Sequence, residues 1–338
     1  MNRNPKGAAP GARASAPQIY PRPSTQAATS EVANAAKSAA KRRVGIYIAI
    51  TFALTWALWI AGGIATDSFR TGLESPEMIA IIAAGMFLPT VGALLTNLIV
   101  GKSRRIPLGL WPRLRRGSGN AKPYLAAWFV PALITVVGGA LFFLVVPGSF
   151  DGNLSAITDA MANAPSSAAN DFFAQSFGGR PWLFVLVISA FAIALAPFVN
   201  IIPSLGEEIG WRGMLYPSLY ELMSKRRAVI VGGVIWGLWH APATIMGHNY
   251  GMDYWGWPVL GILCMCVMCV ALGTCLAWLR ERTGSVWPCA LAHGAFNAIA
   301  GVGLYMCAVS MPLLGPAPSG LLAGIPLIVL GFFAWRKL

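Results

Sequence analysis

Long apolar runs constrain this chain more than any other feature. They fall at about 44–65, 77–100, 123–147, 181–203, 228–247, 257–279, 285–309 and 317–335. Each is near or above the roughly 20 residues that a helix needs to cross the hydrocarbon of a bilayer. Lipid offers no solvent to backbone polar groups, so each run must satisfy its own hydrogen bonds as helix. Composition agrees. Hydrophobic residues make up 56% of the chain and charged residues 11%, against about 25% charged in soluble domains; the mean hydropathy is +0.62. The expected fold is all-α, a polytopic integral membrane helix bundle of about eight transmembrane helices.

Charge placement gives an expected orientation. Lys41, Arg42 and Arg43 precede the first run, and Lys102, Arg104, Arg105, Arg113, Arg115, Arg116 and Lys122 lie between the second and third. Lys225, Arg226 and Arg227 precede the fifth, Arg280 and Arg282 follow the sixth, and Arg336 and Lys337 close the chain. The alternate loops hold only Arg70 and Arg180 as basic residues, beside Asp67, Glu74, Asp151, Asp159, Asp171 and Asp253. Under the positive-inside rule this places both termini in the cytoplasm of a multi-pass protein of the cell membrane. The net charge of +13 is then a topology signal. No basic folded surface is visible, so no nucleic-acid partner is expected.

Residues 1–40 are rich in Ala, Pro and Ser and read as a disordered cytoplasmic tail. The first apolar run is too long and too far from the start for a cleaved signal peptide. Residues 148–180 read as a polar outer loop carrying a short surface helix. All six cysteines lie at positions 264–307. Cys266 and Cys269 form a C-x-x-C in an apolar stretch with no sequence-adjacent His or acid, which reads as helix packing with no disulfide.

Ionisable groups inside membrane segments are costly, and each one is a functional hypothesis. Glu207, Glu208 and Arg212 sit together in SLGEEIGWRGML. On a helix Glu208 and Arg212 are i,i+4 neighbours and can share the cost of burial, while Glu207 points about 100° away and is left free. A desolvated carboxylate is a usable base. His240 lies roughly 20 Å along a helix from Arg226 and Arg227, and Pro242 is expected to kink that helix. His293 and Asn297 share one face of the seventh run. With Gly294 and Ala295 between them they suit close helix packing, or two donors toward a developing oxyanion. His248 falls beside Tyr254, Trp255 and Trp257 and reads as part of an interfacial aromatic belt.

His240 and Asn297 lie at similar depth by residue count, so one shared cavity, open to the cytoplasm, is expected. If the fourth run ends near Pro203, Glu207 would lie just outside the membrane. A break at 197–206, with a tilted or re-entrant Glu-bearing helix, would bring it back.

These residues carry a resemblance. E-E-x-x-x-R at Glu207–Arg212, an aromatic-x-x-x-His at Trp236–His240 and H-x-x-x-N at His293–Asn297 occur in order on hydrophobic segments. Over roughly residues 180–310 the chain resembles the CPBP family of CAAX proteases and bacteriocin-processing enzymes, also called the ABI family. Trp236 departs from a pattern that usually has Phe.

The resemblance implies an intramembrane glutamic endopeptidase without cofactor or metal, acting on a membrane-associated peptide or protein within the lipid bilayer. Glu207 with His240 would activate water, His293 and Asn297 would bind the oxyanion, and Glu208 and Arg212 would brace the site. The chain then divides into the tail (1–40), N-terminal transmembrane helices and loops (41–180), a catalytic helix core (181–310) and a C-terminal transmembrane helix (311–338).

Other readings stand beside it. Glu207, His240 and His293 could ligate zinc with an open fourth position, although H-E-x-x-H is absent. Cys289 and His293 are i,i+4 and could form a nucleophilic dyad. A non-catalytic protein could use the polar cluster for bacteriocin immunity or to hold a peptide. A transporter would need matching broken helices in both halves, and the polar residues occupy only one.

Overall fold

A computed structural model describes residues 25–73, 75–101, 105–111, 121–162, 171 and 175–338. Among these residues the chain is helical, with no β-strand beyond one isolated bridge between Phe150 and Cys307. The main helices are α1 (Thr25–Ala65), α2 (Pro76–Gly85), α3 (Leu88–Val100), α4 (Ala121–Val145), α5 (Pro181–Ala194), α6 (Ala196–Gly210), α7 (Lys225–Trp239), α8 (Val259–Thr283), α9 (Trp287–Ile299) and α10 (Ile325–Arg336). A π-helical turn, Trp211–Leu215, continues α6 into a short helix, Tyr216–Tyr220. Another short helix, Ala241–Ile245, follows α7.

The eight apolar runs do not become eight full-length spans. Among the described residues, five helical stretches are long and apolar enough to cross a membrane, counting α2–α3 and α9 with the turn after it as one each, or up to six if the bent pair α5–α6 is one span. The fifth run is cut at His240 because Pro242 lacks an N–H and its ring crowds the preceding turn. The eighth run enters helix only at Ile325, leaving α10 at 12 residues. Helix α1 begins at Thr25, so residues 25–40 are helical where a disordered tail was expected; residues 1–24 lie outside the described residues. The expected short helix of the 148–180 loop is present as Ser155–Ala162.

Packing runs through glycines where helices meet. A Cβ on Gly237 would stand 2.5 Å from the Cys266 Cα, and one on Gly294 would stand 3.0 Å from the Asn200 carbonyl carbon. Small residues thus let α7 approach α8 and α9 approach α6 at backbone distance, a common device in lipid, where packing replaces hydrophobic exclusion.

The bundle has two distinct ends. At one, Arg43 donates to Ser218 Oγ at 3.0 Å and pairs with Glu221 at 2.5 Å. Lys225 pairs there with Glu281, Arg226 donates to the Arg336 carbonyl at 3.0 Å, and Trp287 donates to the Leu110 carbonyl at 2.6 Å. At the other end, the Tyr250 hydroxyl donates to the Ser319 carbonyl at 3.0 Å, Ala308 to Ser149 at 2.8 Å and Trp182 to Gly152 at 2.9 Å.

Candidate active site

Glu207 and Glu208 stay in the bundle because the break comes early. Helix α5 ends at Ala194, and the chain bends by 51° before α6. Helix α6 then runs on through Pro203 to Gly210. The break is at Leu195, just before the 197–206 stretch that the sequence suggested. It leaves Glu207 2% and Glu208 0% exposed.

Glu208 is the structural partner. Its Oε1 accepts from Arg212 Nη1 at 2.9 Å and lies 3.0 Å from His293 Nδ1. The Arg212 side chain is fully buried, with its guanidinium carbon 4.3 Å from the Trp236 ring centroid and 5.0 Å from that of Tyr216. Carboxylate on one side and π faces on the other solvate the cation. A carboxylate only accepts, so the His293 Nδ1 carries a proton. For Nε2 to donate to an oxyanion as well, the His293 ring must hold two protons.

Glu207 is not left free. Its Oε2 accepts from Trp211 Nε1 at 3.0 Å and from Trp236 Nε1 at 2.8 Å. The tryptophan that departs from the usual Phe therefore supplies a hydrogen bond that Phe cannot make. Trp236 also packs edge-on to His293 at 5.3 Å between centroids. Its carbonyl lies 2.9 Å from His240 Nδ1. That carbonyl fixes the proton on Nδ1 and leaves Nε2 as the lone-pair nitrogen of the neutral ring.

Glu207, His240, His293 and Asn297 line one cavity of about 240 Å³, with Trp59 from α1, Ile82 from α2, Met86 just after it and Ser319 from the segment before α10. The wall thus extends beyond residues 181–310. Asn297 is exposed at the edge, while His293 lies deeper, one turn back.

His248 also lines the cavity, which the aromatic-belt reading missed. Gly247, at φ 96°, turns the chain back, and the His248 N–H reaches the Ala243 carbonyl at 2.9 Å. The His248 ring ends parallel to His240, 5° between planes and 6.1 Å between centroids. The sequence signal was a glycine soon after a proline-broken helix, a position where a chain can reverse.

The cavity is also displaced from the expected side. His248, Asn249, Ala300 and Ser319 place it toward the end of the bundle away from Lys225, Glu281 and Arg336. An opening to the cytoplasm was expected alongside cytoplasmic basic loops, and those two expectations now conflict. The residue count was sound: roughly 20 Å from Arg226 is past the middle of a hydrocarbon layer about 30 Å thick.

The cysteine dyad is not formed. Cys289 Sγ donates to the Leu276 carbonyl at 3.2 Å, and His293 Nδ1 is engaged by Glu208. The six cysteines are free thiols. Cys269 lies beside His240, 4.0 Å from Nδ1, a neighbour invisible in the sequence. Among the described residues no group of three or more His, Cys, Asp or Glu is spaced to hold a metal ion.

Residues 181–299 match a family model described as type II CAAX prenyl endopeptidase, Rce1-like. A stretch of 82 residues is 27% identical to the protein named CAAX prenyl protease 2 of Methanococcus maripaludis, covering 24% of this chain and 30% of that relative.

Proposed function

We propose, from the premise that residues 181–299 form a domain of the CAAX-protease (CPBP) family, that this membrane protein is an endopeptidase. It hydrolyses a peptide bond of a membrane-associated protein or peptide with a water activated by Glu207 and His240. The observation that carries this reading is the convergence of Glu207, His240, His293 and Asn297 on one cavity.

Two indole donors hold Oε2 of Glu207, which leaves Oε1 to take a proton from the attacking water. His240 Nε2, opposite its anchored Nδ1, accepts from the same water and orients it. As the water oxygen bonds to the carbonyl carbon, charge grows on the carbonyl oxygen. The Asn297 amide, with His293 in its doubly protonated form beside Glu208, donates to that oxygen. The proton on Glu207 then passes to the leaving nitrogen, the C–N bond breaks, and the products are a new carboxyl and a new amine. Glu208 and Arg212 act only through His293 and Trp236.

Trp236→Phe separates the hydrogen bond from the ring packing. Phe keeps an aromatic face toward Arg212 but removes one donor to Glu207. Hydrogen bonds to charged groups contribute about 1.5–3 kcal/mol, so kcat is expected to fall about ten- to hundredfold, with little change in KM or in the unfolding midpoint. An unchanged kcat would show that Trp211 alone positions the carboxylate.

Hydrolysis through this arrangement needs no metal. Arg212 places positive charge against Glu208, the partner of His293, and among the described residues no group of three or more His, Cys, Asp or Glu is spaced to hold a metal ion. The test is a peptidase assay after exhaustive chelation, with metal content measured on the same sample. The expected rate is that of the untreated enzyme. Loss of activity restored by zinc, with about one zinc bound per chain, would instead favour a metal-activated water.

A further inference from the structure

We infer that this site takes its peptide from the non-cytoplasmic side of the membrane, so that its substrates are exported peptides or outward-facing segments of membrane proteins. The inference rests on the hydrolytic reading of the cavity and adds the side from which it is served.

Two independent sets of observations lead there. The first is the wall of the cavity. His248 and Asn249 belong to the loop after α7, Ala300 follows α9, and Ser319 precedes α10. The Tyr250 hydroxyl ties the first of these segments to the last through the Ser319 carbonyl. All of them lie at the end of the bundle where α7 and α9 finish and α8 begins.

The second is charge. The opposite end gathers Arg43, Arg105, Lys225, Arg226, Arg227, Arg280, Arg282, Arg336 and Lys337. The loops at the cavity end hold Arg70 and Arg180 against five aspartates among the described residues, Asp67, Asp151, Asp159, Asp171 and Asp253. Basic residues are retained on the cytoplasmic side during insertion, which puts the cavity end outside.

The lining narrows the chemistry. Glu207 is its one carboxylate, and no Lys or Arg is among the lining residues. Arg212 lies behind the Trp236 ring. A free C-terminal carboxylate would meet no Lys or Arg there and would face Glu207. Amide and imidazole groups at the rim, Asn249, Asn297 and His248, instead suit the uncharged backbone of an internal segment.

The experiment places single cysteines at the two ends and treats intact cells with a membrane-impermeant maleimide. Asn249→Cys marks the cavity rim and Arg282→Cys the basic end; the unsubstituted protein gives the background from its own cysteines. Trp255→Cys, at a residue that is 87% exposed on the same loop as Asn249, is a second marker should the first variant fail to accumulate. Asn249→Cys or Trp255→Cys is expected to label severalfold above background in intact cells, and Arg282→Cys only after permeabilisation. Labelling of the rim only after permeabilisation, or Arg282→Cys labelling in intact cells, overturns the inference. Peptidase activity of Glu207→Gln is measured in parallel. An inactive Glu207→Gln with reversed labelling removes the sidedness and leaves the hydrolytic reading intact. An active Glu207→Gln removes the hydrolytic reading whichever end labels.

Discussion

Glu208→Gln is expected to lower the stability of the folded bundle by about 3–5 kcal/mol, the usual cost of removing one partner from a buried ion pair. The side chains of Glu208 and Arg212 are both 0% exposed and meet at 2.9 Å. Without the carboxylate charge, the guanidinium would keep only a neutral acceptor and the faces of Trp236 and Tyr216. A glutamine carbonyl still accepts from His293 Nδ1, so the loss reports mainly on Arg212. Removing both charges tests that assignment. Glu208→Gln combined with Arg212→Met is expected to recover most of the stability, because an apolar replacement of the cation needs no partner. The unfolding midpoint in detergent is the measurement, and a single variant as stable as the parent would show that Arg212 is solvated by other means.

Glu207→Gln is expected to behave in the opposite way. Positioned general bases contribute about 10²–10⁴-fold, so kcat should fall by at least that range while the unfolding midpoint is kept. Glutamine has the same shape, and its carbonyl oxygen can accept from the Trp211 and Trp236 indoles as Oε2 does. It also removes a charge from a dry site, which costs no stability. What it lacks is an oxygen able to take a proton. The two neighbouring carboxylates are therefore separable: one variant loses activity with its stability intact, and the other loses stability.

Much of this arrangement was readable in the residues. Apolar runs located the helices because lipid forces each span to close its own backbone hydrogen bonds. The i,i+4 spacing of Glu208 and Arg212 anticipated their ion pair. Counting residues put His240 and Asn297 at one depth, and they line one cavity. The rest depended on features with weak local signals. The bend at Leu195 lies two residues before Pro197, since a proline is tolerated in the first turn of the helix it begins. His248 points inward because of a single positive-φ glycine, whereas its aromatic neighbours suggested the interface. The Trp211 bond to Glu207 follows i,i+4 spacing like that of Glu208 and Arg212, but the Trp236 bond joins α6 to α7, and contacts between separate elements leave no periodic trace. The walls from α1 and α2 lie outside every motif. The expected cytoplasmic opening conflicts with the expected orientation of the basic loops, because depth was counted from the basic end without asking which end the rim residues belong to.

The most direct test of the account is a cleavage measurement on purified protein in lipid vesicles. A set of membrane-anchored peptides with uncharged internal segments is incubated with the parent enzyme and with Glu207→Gln, and newly formed termini are identified by mass spectrometry. The account predicts a new terminus at a fixed internal bond with the parent enzyme and none above background with Glu207→Gln, in preparations of equal thermal stability. Equal cleavage by both proteins would contradict it, because hydrolysis would then proceed without the carboxylate on which the cavity is centred.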